Sequence, residues 1–178
     1  MTATAYLPTY AQALWGQALA LSANNDVPRA VLAMATELGT LNMPVSEHLG
    51  SQDKLACAQV AHAAAHQAFA FAPQVRGQLK PVQLALYGVL EDARVEYLAL
   101  QELPGLRQLW LPYHTGENAS QGHGFEALLA RLSRVLLDPA HQDPHAWIQK
   151  IKRMFFTATD PPGLALNSQA SVREAVSL

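Results

Sequence analysis

With 178 residues, half of them apolar and 15% charged, the chain is long enough for one domain with a sizeable core and too hydrophobic to stay disordered. A formal net charge of −2 gives no electrostatic reason to bind nucleic acid or an anionic membrane, and the single cysteine, Cys57, excludes an internal disulfide framework and suits a reducing cytoplasm. The opening MTATAYLPTY lacks the basic start and apolar run of a secretory leader, and no apolar stretch reaches the roughly 20 residues of a membrane span, so the expected location is cytoplasmic, without membrane insertion.

Alanine and leucine abound while β-branched residues are scarce, which favours helix throughout. A first helix is expected over about 8–22, with Leu14, Trp15, Ala18, Leu19 and Leu21 on its apolar side. Asn24, Asn25 and Asp26 break it, and Asp26 can cap a second helix that carries Pro28 in its first turn and ends near Gly39. Residues 42–50 read as a loop. The third helix, about 52–71, follows Ser51 as a candidate cap and stops before Pro73; the fourth starts at Pro81 and runs to about Leu103, where Pro104-Gly105 ends it.

Residues 105–122 read as a loop with a short turn. A fifth helix spans about 125–137 and a sixth about 144–157, closed by Pro161-Pro162-Gly163. In the last segment Ser171 and Glu174 are spaced as a capping box for another helix, which stops at Leu178 without a closing signal, as though more chain followed. The expected architecture is all-α, an irregular bundle of about six to seven helices. Residues 1–163 form its helical N-terminal domain, and residues 164–178 start a further helix or a linker towards a C-terminal region.

Two helices carry most of the chemistry. In AHAAAH, His62 and His66 are four residues apart, so both imidazoles project from one face of the third helix, with alanines around them that let a neighbour approach. The hydrolytic version of this motif has a glutamate directly after the first histidine as general base, and here that position is Ala63. In GVLEDARVEYL, Glu91 lies on the stripe of Leu84, Tyr87 and Leu98 and should face inward, while Asp92 and Glu96 share a face with Ala85, Gly88 and Ala99.

An inward carboxylate needs a partner, and His62, His66 and Arg94 are at hand. One reading is a buried polar network of His62, His66, Glu91, Asp92, Arg94 and Glu96. The other is a metal site, with zinc as the candidate ion, in which His62, His66 and Glu91 are ligands and Asp92 or Glu96 orients a histidine. His114 could join either arrangement. His123, His141 and His145 read as solvated, and Trp15, Trp110 and Trp147 as core or rim anchors. Lys150, Lys152 and Arg153 form a small basic cluster beside Met154, Phe155 and Phe156 that could be a docking patch. No phosphate loop, nucleophile elbow or CxxC is present, so no catalytic residue is assigned.

The ordered runs LACAQVAHAAAH, LKPVQLALYGVLEDARVEYLAL and LPGLRQLWLPYH resemble the N-terminal region of the NorD/CbbO-type proteins that carry a von Willebrand factor A domain. The resemblance covers about residues 50–115. It falls on His62, His66, Glu91, Asp92, Arg94, Glu96, Pro104, Gly105, Leu106, Arg107, Trp110 and His114. It implies a cytoplasmic adaptor that works with a hexameric MoxR-type AAA+ ATPase to activate or remodel a client enzyme such as nitric oxide reductase or Rubisco. It also implies an A domain towards the C-terminus with a DxSxS metal motif, which this chain does not contain. A more distant likeness to a zinc-peptidase core without its general base implies, alternatively, a metal-binding helical domain without peptidase activity.

Overall fold

The computed structural model describes residues 6–16, 18–23, 40–43, 51–70, 79–114 and 124–177. Among them the architecture is an all-α bundle with one short strand pair at its side. The helices are α1 (Leu7–Trp15), α2 (Ser51–Phe69), α3 (Pro81–Glu102), α4 (Leu106–His114), α5 (Phe125–Leu137), α6 (Ala146–Phe155) and α7 (Gln169–Ala175). Strands β1 (Ala20–Ala23) and β2 (Thr40–Met43) run parallel, with Ala20 opposite Thr40.

Proline and glycine set most boundaries. Pro81 opens α3, where its missing N–H has no helical partner to lose, and the Lys80 N–H is taken by Gln83 Oε1 at 3.0 Å. The expected helix over 8–22 is shorter. Gly16 adopts φ +71°, a left-handed cap whose N–H bonds the Gln12 carbonyl at 2.8 Å, and the chain leaves the helix for β1. Residues 42 and 43, read as loop, pair in β2. The second expected helix, over 26–39, lies outside the described residues.

The stretch after Gly105, read as loop, forms α4 in spite of Pro112. The proline takes away the N–H that would bond the Gln108 carbonyl, but Gln108 is exposed and water can serve that carbonyl instead. At α7 the cap is Ser168 and not Ser171. Ser168 Oγ accepts the Ser171 N–H at 3.2 Å, and Ser171 Oγ accepts the Ser168 N–H at 3.1 Å.

Helix α3 is the centre of the bundle. Leu86, Leu90 and Ala93 pack against Leu132 and Val135 of α5, Ile148, Ile151 and Phe155 of α6, and Val172 of α7. Val95 and Ala99, on another side, meet Ala58, Ala61 and Ala65 of α2 and Trp110 of α4. The remaining side of α2, with Val60, Ala63 and Ala64, covers Leu7 and Ala11 of α1. A helix with neighbours on two sides must be apolar nearly all round, and its alanines bring the α2 and α3 backbones close. Each wholly buried Leu, Ile or Phe contributes about 1.5–3 kcal/mol relative to an exposed one.

Residues beyond 163, set apart on the sequence, belong to this same core. Leu166, Val172, Ala175 and Val176 are buried in the α3–α5–α6 cluster, and the Gln83 amide donates to the Val176 carbonyl at 3.3 Å. The apolar pull of Val172 and Val176 outweighs the proline-rich turn that suggested a boundary.

The corner between α5 and α6 is held by buried Asp143. Its carboxylate accepts Arg131 Nε at 2.9 Å and Nη2 at 2.7 Å, and Oδ1 also accepts the His145 N–H at 2.9 Å. Burial pushes the carboxyl up, but the Arg131 guanidinium and the His145 N–H outweigh it and hold Asp143 below its ordinary value of 3.8. A depressed folded-state pKa stabilises the fold above the unfolded value, and that stability is lost as pH falls through the folded one. Asp143→Asn is therefore expected to lower Tm at neutral pH and to flatten the stability profile below about pH 4. An acid limb identical to wild type contradicts this.

Candidate functional site

The pair in HAAAH and the pair in EDARVE each have i, i+4 spacing, which sets two imidazoles on one face of α2 and two carboxylates on one face of α3. These faces meet. His66 Nε2 lies 3.1 Å from Asp92 Oδ1, and His62 Nε2 lies 3.3 Å from Glu96 Oε1. From the last turn of α4, His114 brings Nε2 to 3.0 Å from the same Glu96 oxygen, while its Nδ1 shares a 2.7 Å hydrogen bond with Ser133 Oγ of α5. The His62 and His66 rings are 4.8 Å apart.

The seam has a dry end and a wet end. The side chains of His62 and Glu96 are 2% and 1% exposed, whereas that of Asp92 is 26% exposed. Trp110 closes the dry end. Its ring stands edge-on to His62 at 5.8 Å and its Nε1 donates to the Ala58 carbonyl at 3.1 Å, tying α4 to α2. The short N···O contacts are poorly aligned as hydrogen bonds. Both Glu96 oxygens, His66 Nε2, His114 Nε2 and His62 Nδ1 are buried with no partner in hydrogen-bond geometry.

Burial and the facing groups act against each other. Burial pushes the Glu96 carboxyl up, yet the His114 and His62 imidazoles pull it down to about 2. Burial alone would lower His66 and His114, but both are raised, His66 mainly by Asp92 and His114 mainly by Glu96.

Glu91 and Arg94 form a second unit on α3. Arg94 Nε and Nη2 both donate to the Glu91 carboxylate at 2.7 Å, and Nη2 also donates to the Phe69 carbonyl at 2.5 Å, clamping the end of α2 to α3. This corrects the expected ligand set. The three residues whose donor atoms lie within 4.8 Å of one another are His62, His66 and Asp92, and Glu91 is not among them. One residue along a helix is a turn of about 100°, which puts Asp92, and not Glu91, in line with Glu96 one turn further on.

Of the remaining candidates, His123 lies outside the described residues, His141 is half-buried and His145 is exposed. Lys152 donates to the Pro139 carbonyl at 2.6 Å, so only Lys150 and Arg153 of the basic cluster are exposed. Trp15 donates to Glu102 at 2.9 Å and stacks edge-on against Phe69. Trp147 packs half-buried on the main core. Sequence reasoning missed Ser133, whose hydroxyl fixes the His114 ring; it is an ordinary helical serine with no local signal. Among the described residues no helix is long and apolar enough to cross a membrane.

Chemically the seam offers the His62 and His66 imidazole nitrogens and the Asp92 carboxylate, a donor set suited to a borderline divalent ion. Ala63 follows His62, so no glutamate stands where the HExxH type of hydrolysis places its general base. No family model, curated protein or solved structure matches the chain.

Proposed function

We propose that this is a non-catalytic helical adaptor domain that works with a hexameric MoxR-type AAA+ ATPase to activate or remodel a client enzyme of the nitric oxide reductase or Rubisco kind. The support is the resemblance to NorD/CbbO-type proteins, and one observation gives it weight: the three resembling stretches build a single physical unit. The first supplies Ala58, His62 and His66, the second Asp92 and Glu96, and the third Trp110 and His114. The third also sends Arg107 to the Leu137 carbonyl, locking α4 onto the end of α5. A likeness scattered at random would not collect on one seam. The seam ties α2, α3, α4 and α5 together, which suits a domain whose task is to present a fixed surface.

The test uses purified components. The chain, immobilised, should retain a purified MoxR-type ATPase and change its rate of ATP hydrolysis. A hexameric, active ATPase that is neither retained nor altered in rate counts against the adaptor reading.

A further inference from the structure

We propose that His62, His66 and Asp92 bind one divalent transition-metal ion of the zinc class, with Glu96 and His114 as the outer layer that orients the ligands. This goes beyond the adaptor reading and does not depend on it.

Geometry is the first ground. Two atoms bound to one tetrahedral ion at 2.0–2.1 Å stand about 3.3 Å apart. Among the proposed ligands, His66 Nε2 and Asp92 Oδ1 are 3.1 Å apart, and the donor atoms of His62, His66 and Asp92 all lie within 4.8 Å of one another, so a small closure brings them round one ion. Two of the ligand nitrogens, His66 Nε2 and His62 Nδ1, are buried without an aligned hydrogen-bond partner. A network built only of hydrogen bonds would align its donors with its acceptors, because each buried orphan is costly. Groups that converge on a common point without aligning on each other are what a bound ion requires.

Charge and access agree. With neutral imidazoles, Asp92 and Glu96 leave the seam two negative charges in excess, and the nearby Arg94 is engaged by Glu91 and Phe69. A divalent cation restores the balance. Glu96 Oε1 stands against His62 Nε2 while His62 Nδ1 is the buried nitrogen without a partner, which is the carboxylate-behind-imidazole arrangement that orients a ligand ring. At the other end Asp92 and His66 are 26% and 12% exposed, so an ion can enter there and keep a position for water.

The full chain, stripped with a chelator and dialysed, is titrated with Zn²⁺ against a chromophoric competitor, with Tm read alongside. One equivalent per chain and a raised Tm are expected. Asp92→Asn and His66→Gln should weaken binding by more than about 100-fold, beyond the 10–100-fold typical of an outer-layer partner, which is the loss expected for Glu96→Gln. Glu91→Gln should weaken binding far less than Asp92→Asn. Asp92 is partly exposed, so its variant should fold, as far-UV circular dichroism will report; if it does not, the wild-type stoichiometry decides. Less than one equivalent in wild type overturns the proposal. So does a folded Asp92→Asn with wild-type affinity, or an equal loss in Glu91→Gln.

Discussion

Arg94→Ala is expected to lower the unfolding free energy by about 3–5 kcal/mol, because it breaks a buried ion pair from one side. Arg94 is 3% exposed, gives two 2.7 Å hydrogen bonds to Glu91 and one to the last turn of α2. Alanine removes the cation, takes both donors from a buried carboxylate and releases the Phe69 carbonyl. Replacing the pair together, as Glu91→Leu with Arg94→Leu, should recover most of the loss, since two apolar side chains leave no stranded charge. Denaturant unfolding of the two variants reads both effects. A loss under about 1 kcal/mol for Arg94→Ala, the range of an exposed pair, contradicts the clamp.

Trp110→Ala is expected to cost a similar amount, about 3–5 kcal/mol, the usual range for emptying a buried aromatic site. Trp110 is wholly buried between α2, α3 and α4. Its loss leaves a cavity, frees the Ala58 carbonyl from its only indole donor and removes the ring that stands edge-on to His62. Because α4 also carries His114, the variant should disturb Glu96 as well as the apolar packing. Trp110→Phe keeps most of the volume and loses the indole N–H, so it should cost only about 1–3 kcal/mol. Equal losses for the two substitutions would mean that volume plays no part at this position.

Much of the bundle was legible because its signals are local. The spacing of apolar residues placed α5 at Phe125–Leu137, and Pro81 with Pro104 bracketed α3. What escaped depends on distant partners or on one backbone angle. Gly16 ends α1 by turning left-handed, which an apolar run through Leu21 conceals. A four-residue strand such as β1 has no pattern of its own until β2 lies beside it. Pro112 hid α4, so His114 was named as a candidate without the helix that carries it to Glu96.

The site was half legible for a related reason. Periodicity could say that HAAAH presents two imidazoles to one face and that α3 carries inward acids. It could not say which acid meets them, because α3 is covered on more than one side and "inward" has no single direction. Glu91 is buried, as the stripe suggested, but against Arg94; Leu84 on the same stripe is exposed. The carboxylates that face α2 are Asp92 and Glu96.

The most direct measurement is a thermodynamic double-mutant cycle on the dry rung of the seam, His62→Ala with Glu96→Ala, run by denaturant unfolding with chelator present so that no ion contributes. Residues in contact across two helices should show a coupling of about 0.5–3 kcal/mol. Additive losses, within about 0.3–0.5 kcal/mol of zero coupling, would mean that the two helices do not bring these side chains together.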